Sequence, residues 1–364
     1  MIEIFEYNNI NMFDDIWDET LKKSNNQNIF LKINWLKSWL DVFEQSDDEQ
    51  VILCIKENNK IIALAPLMIK LCNEYGFKYK RLQFIGFSQS DYMDFVFTKD
   101  ANNSLNLIIN YLFENSKRWN ICEINNFSEE SNSLNILNKI LNKKKISYDF
   151  KILSECPYVR LDSDITEFLK SKKSGLRYDL KRGENELSKL GILNFIKIEN
   201  QFEAINELPA FMKMLNRRDH QVNRLGTKQS YIDQQNIYLN YLNSMWNNIS
   251  FSKLTLNNKA IAYHLGFEYE AKLYWYKPTF DIDYIKFSPG KILIKKAMEN
   301  AFENRITELD FLLGLEPYKF QWANESRKNY GFMFSADNIK SKLFFKWFSI
   351  IKPNLKSFVK NLKK

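Results

Sequence analysis

The sequence predicts a mixed α/β protein built from two copies of one fold and a basic helical tail. The chain has 364 residues, whereas a compact domain usually contains about 100–200. Hydrophobic residues make up 45% of the chain, which is enough for well-filled cores. The turn sequence Asn-Asn-Lys at 58–60 recurs at 257–259, each time inside a hairpin pattern. Because similar elements surround both turns, we interpret the chain as an internal repeat.

The first copy is predicted to span residues 1–155. Apolar residues at helical spacing predict an amphipathic helix at 31–45, and residues 51–70 predict a β-hairpin. The remaining elements of this copy are strands at 82–87, 93–97 and 119–127, with helices at 104–118 and 132–145.

The second copy is predicted to span residues 156–337. A long charged helix is expected from Thr166 to Leu190, because the following Gly191 is a residue that commonly ends helices. Its other elements are a strand at 193–200, helices at 201–218 and 230–247, a three-strand meander at 249–280, a helix at 289–304 and strands at 308–313 and 330–336.

Positive charge is concentrated in the predicted tail, residues 338–364. The chain has a net charge of +8, and the tail contains eight lysines and no acidic residue, so the remainder is formally neutral. Nucleic-acid binding calls for a basic face on the folded domain, so we expect no nucleic-acid partner. The tail is predicted to form an amphipathic helix that either docks on the protein itself or contacts an anionic membrane surface.

Other classes of protein are disfavoured by the pattern of cysteines and apolar residues. The four cysteines show no CxxC or CxxH spacing, so we expect neither a zinc site nor a redox site. No apolar run reaches the roughly 18 residues of a membrane span, and the N-terminus lacks the features of a secretory signal. We expect a cytoplasmic protein that contacts the inner face of the membrane, if at all, through its tail.

The sequence "FSPGKILIKK" at 287–296 contains the first candidate binding site. Ser288 suits an N-cap, Pro289 suits the first helical position, and Gly290 leaves the backbone uncovered. A helix N-terminus prefers negative charge, yet the first turn carries Lys291 and no acidic residue. A bound phosphate would supply the missing anion. The alternative is an ordinary helix start with a lysine-rich solvent face.

Two further segments contain candidate catalytic residues. Asp310 ends a strand where an apolar residue is expected, and the sequence "GLEPYKFQW" follows with Tyr318 and Lys319. His264 lies in an apolar strand, and its usual titration range suits proton transfer near neutral pH. For both Asp310 and His264 the alternative is a buried residue with a purely structural role.

Candidate substrate-binding residues lie in both copies. Arg177 and Lys181 are one helical turn apart, so they bind an anionic substrate or belong to a solvated face. Asp91, Tyr92 and Asp94 follow a strand of the first copy, where they line a cleft between the copies or bond to their own loop.

Several motifs, taken in their order, resemble the CelD-like branch of the GNAT acyltransferase superfamily, which is related to the FemAB peptidyl transferases. The motifs are "SDYMDF", "RYDLKR", "AYHLGF", "LYWYKPTFD", "SPGKIL" and "LDFLLGLEPYKFQW". The resemblance covers most of residues 30–335. It implies two tandem GNAT-like folds, of which the first is degenerate and the second binds the acyl donor.

The resemblance also implies roles for individual residues. "SPGKIL" stands where GNAT proteins bind the pyrophosphate of coenzyme A, although the usual longer glycine-rich pattern is incomplete. Lys319 would stabilise a developing oxyanion, because "YKF" resembles the aromatic-Lys step of FemAB proteins. His264 would act as the general base, with Asp310 orienting groups or relaying protons. Tyr276 and Tyr318, in two of these motifs, would contact the acceptor.

These features together predict an acyl-CoA-dependent N-acyltransferase without a metal. The expected reaction is acetyl transfer to an amino sugar or nucleotide-linked sugar in surface polysaccharide biosynthesis. One alternative is FemAB-like transfer from aminoacyl-tRNA in cell-wall synthesis, although the usual FemAB helical arm has no clear counterpart in the sequence. The other is a non-catalytic tandem-GNAT scaffold at the membrane surface.

Overall fold

The computed structural model describes residues 1–74, 76–162, 164–221 and 228–354. These residues form two compact units. Unit 1 contains residues 1–154 and 328–364, and unit 2 contains residues 155–327. The sequence predicted instead that residues 328–337 belong to the second copy.

Both units contain strands and helices in mixed order, as the sequence patterns predict. The strands are β1 (Ile2–Tyr7), β2 (Glu49–Glu57), β3 (Lys60–Glu74), β4 (Phe77–Phe84), β5 (Val96–Phe97), β6 (Ile121–Ser128), β7 (Tyr148–Arg160), β8 (Leu193–Lys197), β9 (Ile249–Leu256), β10 (Lys259–Tyr269), β11 (Lys272–Phe280), β12 (Glu308–Asp310) and β13 (Glu325–Ser335). The helices are α1 (Trp17–Lys22), α2 (Ile33–Phe43), α3 (Ala101–Glu114), α4 (Asn132–Lys143), α5 (Ile165–Ser171), α6 (Ser174–Leu190), α7 (Gln201–Gln221), α8 (Lys228–Ser244), α9 (Pro289–Glu303), α10 (Lys319–Trp322) and α11 (Ile339–Lys346).

Unit 1 is built on a mixed sheet with the order β1-β2-β3-β4-β6-β13. The β4–β6 pair is parallel and the other neighbours are antiparallel. Helix α2 buries Trp35, Leu36 and Trp39 in the core, as its helical spacing predicts.

In unit 2 the part of β7 within this unit is followed by the strand order β12-β11-β10-β9-β8. The β11–β12 pair is parallel and the other pairs are antiparallel. Helices α7 and α8 pack on this sheet: the ring of Phe211 lies 6.0 Å from that of Tyr263, and the ring of Tyr241 lies 5.5 Å from that of Phe267. These two helices therefore belong to the core of the unit.

The recurring Asn-Asn-Lys turns have the same backbone conformation in both units. Asn58 and Asn59 have φ angles of 49° and 66°, and Asn257 and Asn258 have φ angles of 48° and 64°. Two successive residues with positive φ are the requirement of a type I′ hairpin turn, and asparagine tolerates this conformation better than most residues. The repeated sequence therefore encodes the same tight hairpin twice.

One predicted helix differs from that observed, and the tail follows one of its two predicted alternatives, docking on the protein itself. The predicted long helix from Thr166 is broken into α5 and α6, because Lys172 adopts an extended conformation with φ −87° and ψ 158°. The predicted tail packs on unit 1: the ring of Tyr79 lies 5.5 Å from that of Phe344 and 4.9 Å from that of Phe348. Tail residues 355–364 lie outside the described residues. Within the described ranges, no helix is both long and apolar enough to cross a membrane.

Candidate active site

Strand β11 has two different surroundings along its length. Its first residues, 272–274, pair with β12, whereas residues 275–280 have no strand partner on that side within the described part of the chain. The pairing of β11 with β10 also changes register between Leu265 and Phe267, which places an extra residue in β11. Such bulges re-aim side chains and are common next to active sites. The backbone groups of residues 275–280 that lack a strand partner on the β12 side therefore begin at this bulge of β11.

His264 of β10 stacks on Trp275 of β11 at this bulge. The ring centroids are 3.7 Å apart and both side chains are buried. Burial lowers the pKa of His264 to about 3, and the backbone carbonyl of Tyr274 offsets only part of this effect. Gly266 makes room for the ring, since a Cβ atom there would overlap the imidazole. His264 is thus neutral near pH 7, and its low pKa disfavours the predicted role of general base.

Three buried nitrogen atoms beside the bulge lack ordinary hydrogen bonds. Both imidazole nitrogens of His264 and Nε1 of Trp275 have no partner of ordinary geometry among the described residues. Buried polar atoms in proteins are nearly always paired, so each exception calls for an explanation. A bound substrate or ordered water at this point of the sheet would provide one.

The start of α9 differs from the predicted N-cap. Ser288 has the left-handed conformation, with φ 57° and ψ 46°, and its side chain accepts no capping bond. Its backbone carbonyl instead accepts from the N–H groups of Lys291 and Ile292. The N–H group of Gly290 has no such partner among the described residues, and a Cβ atom on this glycine would lie 3.3 Å from the Phe280 ring. Gly290 therefore offers one free donor at the positive end of the helix dipole.

The lysines of α9 are paired with acidic residues of α6. Lys291 Nζ lies 2.7 Å from Asp179 Oδ2, and Lys295 Nζ lies 2.7 Å from Glu184 Oε1. The anions that the first turns of α9 lack in sequence are therefore supplied by a neighbouring helix. The charge of Lys291 is therefore already compensated by Asp179, so this lysine is a weaker candidate for binding phosphate than its sequence position predicts.

Asp310 lies at the end of β12, where this strand and β11 separate. Its side chain is fully buried; Oδ1 accepts from the N–H group of Leu312 at 2.7 Å, and Oδ2 lies 3.4 Å from Arg327 Nη1. Arg327 is only 4% exposed, and its guanidinium also contacts Glu308 at 2.7 Å. The Asp310 carboxylate is thus held by a backbone donor and a buried cation.

Lys319 has its ammonium group inside the loop that follows Asp310. The residue is 5% exposed, and Nζ donates to the carbonyl oxygens of Leu313 at 2.7 Å and Leu312 at 3.3 Å. Glu316 Oε2 lies 3.1 Å from the same nitrogen. Lys319 therefore fixes the loop that follows Asp310, with Glu316 as its carboxylate partner. Tyr318 precedes it and packs edge-on against Phe311, with ring centroids 6.3 Å apart.

The predicted acceptor-binding residues of unit 2 lie in different environments. Arg177 donates to backbone carbonyls at the end of α5, including that of Lys170 at 2.9 Å, so it acts as a helix cap. Lys181 is exposed on α6. Tyr276 is buried, with its ring 5.5 Å from that of Phe267. The structure therefore does not bring these residues together into one cluster.

The predicted substrate-binding residues of unit 1 are largely buried. Asp94 accepts hydrogen bonds from Ser131 and Ser133, each at 2.5 Å, and burial raises the pKa of its carboxyl group. Tyr92 is 5% exposed and packs edge-on against Phe30. Asp91 is half-buried. The bonds made by Asp94 are structural, but they join its loop to the start of α4 rather than staying within its own loop as the alternative expected.

Arg327 is the member of the site that the sequence interpretation missed. The last strand was predicted to begin at residue 330, whereas β13 begins at Glu325. Within β13, Arg327 and Asn329 are buried, whereas Ser326 and Lys328 are exposed. This alternation, in the sequence "SRKNYGF", was the available signal for an inward-facing arginine. Asp179 and Glu184 were also missed, because their pairing with α9 connects distant parts of the sequence.

Metal ligation has no support in the described ranges, where no group of three His, Cys, Asp or Glu side chains is arranged to hold an ion. The candidate site consists of three parts: the separating strands β11 and β12, the start of α9, and the end of β12. This last part contains the Asp310–Arg327 pair and the loop that Lys319 holds.

A comparison with family models identifies the central part of the chain. Residues 174–320 match the family described as an acetyltransferase (GNAT) domain. This segment includes most of unit 2 and every element of the site except Arg327. The match confirms the predicted resemblance to GNAT acyltransferases. The search of curated proteins finds no match.

Solved structures with the same fold cover most of the chain. FemX aligns with a TM-score of 0.63 and 12% identity, over 90% of this chain and 96% of FemX. L-PGS from Bacillus licheniformis aligns with a TM-score of 0.53 and 14% identity, over 92% and 96% of the two chains. A tandem GNAT protein from the clavulanic acid biosynthesis pathway aligns with a TM-score of 0.50 and 8% identity, over 93% and 99%. At these identities the likeness concerns the fold, and it confirms the predicted mixed α/β, tandem GNAT-like class.

Proposed function

We propose, from the match of residues 174–320 to the acetyltransferase (GNAT) family, that this protein moves an acetyl group from acetyl-CoA to the amine of an amino sugar or a nucleotide-linked sugar. The reaction forms an amide bond and releases the thiol of coenzyme A. A role in surface polysaccharide biosynthesis follows as the pathway class in which such acceptors occur.

The separation of β11 from β12 is the observation that supports this proposal most strongly. Residues 275–280 offer backbone donors and acceptors on one edge, and the extended arm of coenzyme A carries two amide groups that can pair with such an edge. The bulge at Trp275 and the unpaired buried nitrogens lie where the arm would end. A thioester bound there would therefore lie next to the residues at the end of β12.

The diphosphate of the donor is expected at the start of α9. The free N–H group of Gly290 and the helix dipole provide the anchor. Arg182 and Lys286 are candidate cations for this site. Arg182 Nη2 donates to the carbonyl of Lys286 at 3.0 Å, and Lys286 lies four residues before Gly290 in the sequence. Neither residue belongs to the ion pairs between α6 and α9, so both are better candidates for phosphate contact than Lys291.

The cluster after β12 suits the chemical step. The acceptor amine must lose a proton as it attacks the thioester carbonyl, and a carboxylate such as Asp310 can accept that proton directly or through water. The carbonyl oxygen gains negative charge at the same time, and the Lys319 ammonium can stabilise it. Because its pKa is about 3, His264 would contribute as a neutral hydrogen-bonding group rather than as the base.

A mass-spectrometric assay of acetyl-CoA with a panel of amino-sugar nucleotides tests this proposal. We expect Asp310→Asn and Lys319→Met each to lower kcat by about 100-fold, whereas His264→Gln retains most activity. Lys189→Met, on the exposed end of α6, is the matched control and should leave kcat unchanged. Wild-type rates in both Asp310→Asn and Lys319→Met would discard this site.

A second candidate function is aminoacyl transfer from tRNA, as the FemAB resemblance implies. The similarity to FemX across 90% of the chain favours it, although Phe211 of α7 and Tyr241 of α8 pack on the sheet of unit 2. The third candidate function is that of a non-catalytic scaffold. Isothermal titration with coenzyme A separates them: micromolar binding supports the acyl-CoA donor, and absence of binding by folded protein favours the tRNA donor or the scaffold.

A further inference from the structure

The C-terminal helical segment, residues 339–354, exposes an apolar face. It consists of α11, a π-helical turn at Trp347–Ile351 and a final helical turn. Ile339 is 81% exposed, Leu343 63% and Ile350 54%. Ile339 and Leu343 are one α-helical turn apart, and we call the exposed side of the segment that carries Ile339, Leu343 and Ile350 the outer face. Large aliphatic side chains grouped this way on a helix are unusual unless the surface binds something.

The opposite face is fixed to unit 1, so the outer face cannot turn inward. Phe344 and Phe348 pack on Tyr79, and Ser341 Oγ accepts from Asn120 Nδ2 at 3.1 Å. At the far end, Lys352 Nζ lies 2.6 Å from Glu74 Oε2. The segment is therefore covered on one face by its own protein, whereas its outer face presents aliphatic side chains together with Lys342 and Lys346.

Lysines lie within the outer face and beside it, since Lys346 is three residues after Leu343 and four before Ile350. Lys340, Lys342 and Lys346 lie within or beside α11, and only Lys342 is paired with an acidic residue in the described part of the chain, with Asp337 at 2.6 Å. By sequence, residues 338–364 contain eight lysines and no acidic residue. A surface that combines aliphatic side chains with positive charge is complementary to a partner whose interior is apolar and whose surface carries negative charge.

An aromatic pair extends the surface. Phe77, at the start of β4, is 54% exposed and its ring lies 6.4 Å from that of Trp347. Aromatic side chains of this kind are favoured at the level of lipid headgroups, where one part of the ring is apolar and the other is hydrated.

From these contacts we propose that the outer face binds an anionic lipid bilayer. The segment lies in the plane of the membrane, with Ile339, Leu343 and Ile350 among the upper acyl chains and the lysines at the headgroups. A protein partner would need a matching acidic rim around an apolar groove, whereas an anionic bilayer supplies both features at once. The proposal is independent of the acetyl-transfer chemistry, because it concerns unit 1 alone.

Vesicle co-sedimentation of the full chain tests the proposal. We expect binding to vesicles that contain phosphatidylglycerol, weak binding to pure phosphatidylcholine, and release at high salt. The triple variant Ile339→Ser/Leu343→Ser/Ile350→Ser should bind anionic vesicles about tenfold less tightly, and so should Lys340→Gln/Lys342→Gln/Lys346→Gln.

Matched controls distinguish specific binding by the outer face from nonspecific hydrophobic or electrostatic binding elsewhere on the protein. Leu190→Ser/Ile192→Ser/Phe202→Ser removes three equally exposed apolar residues from unit 2, and Lys143→Gln/Lys144→Gln/Lys145→Gln removes three lysines from the end of α4. Both should bind within about twofold of the wild type. Because all of the substituted positions are exposed, circular dichroism should show unchanged folding.

Three outcomes would overturn the proposal. One is that the wild-type chain fails to bind phosphatidylglycerol vesicles. Another is that the outer-face variants bind as tightly as their controls. The third is that sedimentation velocity without lipid shows a dimer that the apolar triple variant abolishes, because the outer face would then be covered by a second copy.

Discussion

His264 is held neutral by its surroundings, and this has a thermodynamic consequence. Its pKa falls from an ordinary value of 6.5 to about 3 in the folded protein, because the buried imidazole cannot be hydrated when charged. The unfolded chain therefore binds a proton between these two pKa values and the folded chain does not. Stability from this residue is fully present above pH 6.5 and is lost as the pH falls toward 3.

Replacing His264 should reduce the loss of unfolding free energy as the pH falls. Between pH 7 and pH 5 we expect the wild type to lose about 2 kcal/mol more unfolding free energy than His264→Phe, since each pH unit below the unfolded pKa costs about 1.4 kcal/mol. Urea denaturation at the two pH values measures the difference. His220→Phe, at the exposed end of α7, is the control and should behave as the wild type. Equal losses in His264→Phe and wild type would show that the imidazole is protonated in the folded state.

Residue type alone was a poor guide to the role of an aspartate that ends a strand, because both Asp310 and Asp94 are buried. An aspartate that ends a strand predicted a functional group in both halves of the chain. Asp310 lies where two strands separate, whereas Asp94 accepts bonds from Ser131 and Ser133 inside unit 1. The sequences "MDFVF" and "LDFLL" look alike, because the difference lies in the partners that tertiary structure brings to each carboxylate.

At the scale of elements, the packing of α6 holds the start of α9. Gly183 lies against the Phe287 carbonyl, and a Cβ atom at this glycine would overlap that oxygen. Lys291–Asp179 and Lys295–Glu184 connect the same two helices. Close approach at a glycine and two ion pairs together fix the helix start that we assign to the donor diphosphate.

Two glycines of α6 give a matched test of this packing. Gly183→Ala should destabilise the protein by about 2 kcal/mol and raise KM for acetyl-CoA, because the backbone before α9 must shift. Gly175→Ala meets no atom within 4 Å and should be neutral or stabilising by about 0.5 kcal/mol. Thermal denaturation and steady-state kinetics of both variants check the prediction. Similar effects of the two substitutions would show that α6 does not determine the position of α9.

Local patterns predicted the elements better than their ends. The Asn-Asn turns predicted both hairpins, because a type I′ turn depends on residues adjacent in sequence. The break between α5 and α6 was missed, because it is stabilised by the Arg177 side chain on backbone carbonyls. A helical pattern continues through 166–190, so periodicity carries no signal for a break made by a side chain.

At the scale of the whole molecule, the fold class and family followed from the order of motifs, whereas the electrostatics of the site did not. The sequence placed Gly290, Asp310 and Lys319 in the acyl-donor domain, and all three lie in unit 2. It could not reveal that carboxylates of α6 compensate the lysines of α9, since that pairing joins positions more than a hundred residues apart. Charge counted along the chain therefore overstated the attraction of α9 for phosphate.

The central claim is that the acyl donor binds along β11 and at the start of α9. Hydrogen exchange with and without acetyl-CoA tests it across the whole chain in one experiment. We predict slower exchange in peptides that cover 275–280 and 288–292, with little change in the strands of unit 1. Bound acetyl-CoA that leaves both of these peptides unprotected, or that protects a different surface, would contradict the account.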